Sequence, residues 1–318
     1  MVKLHQLGQT EIEVNPIGLG AMAIGSQNMY PQVDEQMSRD IFMTAIHNGM
    51  NFIDTAFYYG FGRSEELIGD ILKETGKRHD IVLATKASHE FVGDDIVLNN
   101  TPEFLTKAVD EALMRLQTDY IDLFYIHNPD DYTPKDEAVG ALKLLRDAGK
   151  IRSIGISKFS HEQVEEANKD GYVDVYQGHY NLLEREAERS LFPQLKEHDI
   201  SFVPFYPFAS GILTGKYNEQ TTFEDHRTRK DHLKGEALIN NLRKVEKLRP
   251  MAEEKGADIA QIVLAWYLTH DAIDAVIPGA TKPEQVLSNL KAIDIVLYDE
   301  DIQTIDHLFA IDPSMPKE

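Results

Sequence analysis

Residues 51–69 read NFIDTAFYYGFGRSEELIG, from Asn51 to Gly69, and this stretch decides the fold. It begins as a short strand buried on both faces, with apolar Phe52 and Ile53 in succession, and it ends as a helix. Between them lie a carboxylate, Asp54, two adjacent phenols, Tyr58 and Tyr59, two glycines and Arg63. The same grammar runs outward in both directions. Apolar strand candidates occur at Pro16–Gly20, Ile81–Lys86, Tyr120–His127, Ile151–Ser157, Val173–Gln177, Ile200–Tyr206 and Asp274–Gly279. Helical patterns separate them, at Ser38–Gly49, Thr101–Leu116, Ala138–Gly149, Ser160–Lys169, Glu188–His198, Ile259–Thr269 and Pro283–Ala292. Alternation carried through eight strands predicts an α/β fold with a parallel sheet, and the length suits a (β/α)8 TIM barrel. A hairpin around Gly8, pairing Lys3–Leu7 with Glu11–Val14, should precede the barrel, and one domain should cover residues 1–318. Tyr217–Gly256 exceeds an ordinary connection and reads as an inserted loop plus a helix after the seventh strand. A doubly wound open sheet is the rival, but no GxGxxG follows the first strand.

Composition narrows the function. The chain carries 32 Lys and Arg against 53 Asp and Glu, a net charge of −21, which opposes binding to nucleic acid or anionic membranes. It has no cysteine, which excludes disulfides, thiolate metal sites and cysteine nucleophiles. No metal site is expected. The first residues lack an apolar signal core and no long uncharged apolar run follows, so a cytoplasmic protein is expected.

Barrel enzymes work at the carboxyl ends of their strands. The second strand ends in Asp54, with Tyr58 and Tyr59 in its loop; the third ends in Lys86 and the fourth in His127. Singly, each has a structural explanation: a turn cap, a core aromatic, a surface lysine, a satisfied histidine. On consecutive strand ends they form a coherent acid. A phenol titrates near 10 and is a weak acid at neutral pH; a neighbouring ammonium favours its anion, and a buried carboxylate would hold that ammonium in place. A histidine beside them can orient a carbonyl. No GxSxG, HExxH or P-loop occurs, and a barrel glycosidase would need a second acid that the strand ends do not offer.

These residues resemble the aldo-keto reductases. NFIDTAFYYG is similar to that family's D-T-A-x-x-Y-G signature, with the tyrosine falling on Tyr59, and Thr85-Lys86 and DLFYIH match its Lys and His motifs. The resemblance implies a catalytic tetrad of Asp54, Tyr59, Lys86 and His127, and a barrel that binds a nicotinamide cofactor without a Rossmann fingerprint. It covers nearly the whole chain. GLGAM implies backbone near the nicotinamide at Gly20, Ala21 and Met22. GISKF and YQGHYNLLER imply that Ser157, Lys158 and Gln177 lie at the carboxamide. PFYPFASGILTGKY places Phe205 against the ring, with Tyr206 and Pro207 beside it; Phe208, Ala209 and Ser210 follow the pyrophosphate, with Lys216 nearby. IPGATKPEQVLSNL places Gly279, Thr281, Lys282, Gln285 and Asn289 at the adenosine end. Two positions depart from the pattern: Lys158 stands where many members have Asn, and Phe205 replaces Tyr or Trp. Lys282 and Arg227 are candidate partners for an adenosine 2′-phosphate, so NADP(H) is the cofactor expected. The implied activity is NADPH-dependent reduction of a small-molecule carbonyl. The pattern further resembles the branch holding bacterial stress and inositol-operon reductases and potassium-channel β subunits. A cofactor-binding regulatory module is therefore the alternative, against which His127 argues because the channel subunits carry Asn there.

Overall fold

The computed structural model describes residues 3–27 and 30–310; the outermost residues of the expected domain lie outside that set. A seven-stranded, all-parallel sheet forms the centre. A short antiparallel hairpin precedes it, pairing β1 (His5–Gln6) with β2 (Glu13–Val14). The sheet then runs β3 (Leu19–Gly20), β4 (Phe52–Asp54), β5 (Val82–Ala87), β8 (Ile121–Ile126), β9 (Ile151–Ser157), β10 (Val175–His179) and β11 (Ser201–Phe205). The remaining two strands, β6 (His89–Val92) and β7 (Asp95–Leu98), make a second hairpin after β5.

Two apolar layers position the sheet. Phe52, Val82, Leu123, Val175 and Val203, near the starts of their strands, pack inside the barrel with Leu7, Ile12 and Val14 of the first hairpin. That hairpin plugs the end opposite the strand termini. The outer layer packs the strands against α1 (Glu35–His47), α2 (Arg63–Thr75), α3 (Pro102–Leu116), α4 (Lys135–Asp147), α5 (His161–Ala167) and α6 (Leu191–Glu197), with α9 (Ile259–Tyr267) and α10 (Pro283–Leu290) completing the ring. Local chemistry starts several of these helices. Asp34 caps α1 by accepting from Met37 N at 2.8 Å, Thr101 caps α3 ahead of Pro102, and Ser160 with Gln163 forms a capping box on α5.

The structure departs from expectation in four places. Asp274–Gly279 forms no continuous ladder. It closes the barrel by isolated parallel bridges: Ile273 on Phe202 on one side, Val276 on Ile17 and Gly279 on Gly20 on the other. Pro16 and Pro278 have no N–H to donate, which cuts the ladder on both sides of this seam. The insertion holds two helices, α7 (Gly235–Glu246) and α8 (Arg249–Glu254), after tight turns at His226–Arg229 and Asp231–Leu233. The hairpin β6–β7 and a last helix, α11 (Asp299–Leu308), were not legible as elements. Among the described residues no helix is long and apolar enough to cross a membrane.

Candidate active site

The loop after β4 is built to present a tyrosine. Phe57 N donates to Lys86 O (3.0 Å), which extends the strand pairing one step past β4, and Gly62 N donates back to Phe57 O (2.7 Å). Gly60 has φ +64°, and a Cβ there would stand 2.4 Å from the carbonyl oxygen of Gly25, so only glycine fits. The turn leaves Tyr58 pointing outward, 37 % exposed, and Tyr59 turned toward the barrel axis over Lys86.

At the strand ends the four expected groups meet. Lys86 Nζ donates to Asp54 Oδ1 at 2.5 Å and to Thr55 O at 2.8 Å, and it lies 5.2 Å from the Tyr59 ring centre. Gln177 Nε2 donates to the other Asp54 oxygen at 2.8 Å. The His127 ring stands edge-on to Tyr59 with centres 6.3 Å apart. Asp54 and Lys86 are buried; burial pushes the carboxyl up and the ammonium down, each opposed by the other's charge. Burial holds His127 well below the usual imidazole range, helped by the charges of Lys86 and Lys158. It is therefore neutral at working pH, and its Nδ1 is buried without a partner among the described residues. The phenol differs from expectation. Burial, and then the Asp54 carboxylate and Tyr30, push Tyr59 up rather than down, so the resting group is a fully protonated donor. Lys86 directs hydrogen bonds to Asp54 and Thr55 O, and burial dominates the resting phenol.

The residues expected at a cofactor line the same rim. Gly20, ahead of a tight turn carrying Ala21 and Met22, is bridged to Gly279. Ser157 ends β9 in register with Gln177, and its hydroxyl is buried with no partner among the described residues, an atom awaiting a polar ligand. Lys158 follows at φ +62°, its Nζ donating to Asn128 Oδ1 at 2.9 Å and 5.6 Å from the Phe205 ring. One face of Phe205 carries the His179 ring, stacked at 5.3 Å. After β11 the backbone turns left-handed at Tyr206, Ala209 and Ser210, a concentration of strain of the kind that marks ligand loops. Tyr206 OH and Ser210 Oγ hydrogen-bond each other, Tyr217 OH donates to Ser210 O (2.8 Å), and Pro207 O accepts from Tyr267 OH (2.9 Å). Phe208 O accepts from Gly211 N (2.7 Å), and burial lowers the neighbouring Lys216.

At the far end Gln285 Oε1 accepts from Thr281 N at 2.7 Å, Asn289 is buried and Lys282 is exposed at the first turn of α10. Arg227 differs from the free cation expected: it forms an ion pair with Asp225 at 2.7 Å and donates to Tyr217 OH. Two features escaped sequence reasoning. His89, three residues beyond Lys86, lies 4.4 Å from the Tyr58 ring and 5.3 Å from the His127 ring; its position just past a barrel strand end was the available signal. Behind the site, buried Glu65 accepts from Thr85 Oγ1 (2.6 Å) and Arg115 Nε (2.7 Å), a pairing that no local pattern reveals.

Comparison with known proteins places this geometry. The model of the aldo/keto reductase family matches residues 16–310. Aldo-keto reductase YhdN of Bacillus subtilis is 36 % identical over 98 % of this chain and 96 % of its own. The NADH-specific methylglyoxal reductase of Escherichia coli is 32 % identical over 94 % and 96 %. The solved structure of glycerol dehydrogenase AKR11B4 from Gluconobacter oxydans superposes with a TM-score of 0.89 at 30 % identity, covering 98 % of each chain. A barrel that gathers an acid, a lysine, a tyrosine and a histidine on one rim defines an oxidoreductase class. The chain belongs to the aldo/keto reductase family.

Proposed function

We propose that the chain is an NADPH-dependent reductase of aldehyde and ketone carbonyls, with Tyr59 as its general acid. The convergence of Tyr59, Lys86, Asp54 and His127 on one rim carries this reading. A bound reduced nicotinamide would supply hydride. Ser157, with its unpartnered hydroxyl, Gln177 and the face of Phe205 would hold that group, and the left-handed turn at Tyr206–Ser210 with Lys216 would take its phosphates.

The chain's own residues then handle the oxygen. Neutral His127 orients the carbonyl through a ring nitrogen, and the Tyr59 hydroxyl gives its proton to the oxygen as negative charge builds there. Lys86 stabilises the phenolate that remains, and Asp54 fixes Lys86 from below. Because burial raises the phenol, the proton stays on Tyr59 until the substrate oxygen demands it. The preference for NADPH rests on Lys282, an exposed cation at a helix start, where a phosphate is well received. The Escherichia coli relative is named NADH-specific and one of Schizosaccharomyces pombe is named for NADP(+), so relatives are named for either cofactor. Oxidation of NADPH and of NADH by the purified protein, with a reactive aldehyde present, tests both parts. No aldehyde-dependent oxidation of either cofactor would refute the activity, and an NADH preference would refute the cofactor assignment.

A further inference from the structure

We propose that the carbonyl pocket contains an anion subsite, built from Lys158 with Asn128 and His89, that selects aldehydes and ketones bearing a carboxylate; this rests on the reductase reading above. Lys158 holds a left-handed backbone conformation that is costly for a side chain of its size. That conformation sends its Nζ to Asn128 Oδ1, beside the end of β8. Among the described residues it has no carboxylate within ion-pair distance, whereas its neighbours' charges are matched: Lys86 with Asp54, and Lys135 with Asp130. The nearby acids are also engaged, Asp54 by Lys86 and Gln177, and Glu184 by His179 and Asn181.

Burial, and then the charge of Lys158, holds His89 down at about 4; burial holds His127 down as well, helped by the charges of Lys86 and Lys158. No carboxylate opposes that effect at either ring. In a chain of net charge −21 the carbonyl end is thus a local positive well, which concentrates anions. Asn128 Nδ2 faces His89 Nε2 at 3.4 Å, so one amide ties the Lys158 ammonium to the His89 ring. An ammonium without a carboxylate partner of its own suits a carboxylate ligand; it suits a carboxamide poorly, because it has no acceptor for the amide hydrogens. The body of the substrate has a wall to lie on: Tyr58, Phe61 and Phe91 form a run of partly exposed rings, with centres 5.6 and 5.1 Å apart.

The test compares para-formylbenzoate with its methyl ester, which differ in charge and little in shape. Wild-type protein should favour the acid in kcat/KM by about tenfold to a hundredfold. Lys158→Met should bring the acid-to-ester ratio close to one, mainly through KM, and Lys158→Arg should keep it. The ratio cancels any effect on the cofactor, which both substrates share. Calorimetric titration of acid and ester into protein loaded with NADP+ reads the same preference without turnover. Equal handling of acid and ester, or a preference that survives Lys158→Met, overturns the subsite. Binding that favours the acid, without reduction of either compound, upholds the subsite and sinks the reductase reading.

Discussion

Two tyrosines stand side by side at residues 58 and 59, and the backbone assigns them different work. Tyr58 packs at a tilt against His89, while Tyr59 sits over Lys86 and against His127. Tyr59→Phe keeps the ring and removes the proton, so single-turnover oxidation of NADPH by an aldehyde should slow by roughly 10²–10⁴-fold with cofactor affinity nearly unchanged. Tyr58→Phe should slow it far less; the reverse ranking would reassign the acid. The neighbouring histidines report on stability. Both are held below the ordinary imidazole value in the fold, so the unfolded chain takes up protons first as pH falls. Stability should be full above about pH 6.5 and decline below it. For His89 the decline should continue to about pH 4. Urea midpoints at about pH 7 and about pH 5 measure this, and His89→Gln should flatten the slope. At this scale the meeting of Asp54, Tyr59, Lys86 and His127 on one rim was legible because each ends a strand or sits in the loop after one. The upward push on the Tyr59 phenol was not. It comes first from burial and then from Asp54 and Tyr30, and sequence does not fix how deeply that ring is enclosed.

Elements with strong local chemistry were readable, and those made by tertiary pairing were not. Thr101-Pro102 announces α3, and β9 occupies the residues expected of it. The hairpin His89–Leu98 reads as a loop because its apolar residues are largely exposed, so alternation carries no burial signal. Helix α10 links an element to cofactor choice. Lys282 is its N-cap, exposed and without a side-chain cap hydrogen bond, so a cation stands at the positive end of the helix. Arg227, tied to Asp225, would first have to leave that pair. Lys282→Ala should therefore weaken NADPH binding by about tenfold to a hundredfold and leave NADH binding nearly untouched, as fluorescence titration would show. Equal losses for both cofactors would remove Lys282 from the phosphate.

Across the whole molecule, the alternation of strands and helices made the barrel legible, whereas its closure was not, because three isolated bridges replace the expected eighth ladder. Elsewhere the sheet is continuous, with long registers such as those between β8 and β9 and between β10 and β11. The molecule is thus a cup with one slit, and the slit is where amide hydrogens should trade with solvent soonest. In deuterium exchange, the amides of Gly18, Gly20, Phe202 and Val276, which span the seam, should exchange before those within β8 and β9. The proposed cofactor residues stand on both lips, Gly20 on one and Gly279 to Asn289 on the other. Adding NADPH should slow the seam amides more than the rest of the sheet; uniform slowing would show that the two lips are not bridged. On that placement the ligand is a clasp as well as a reagent: it turns an open-sided cup into a hoop, and its departure lets the wall breathe again.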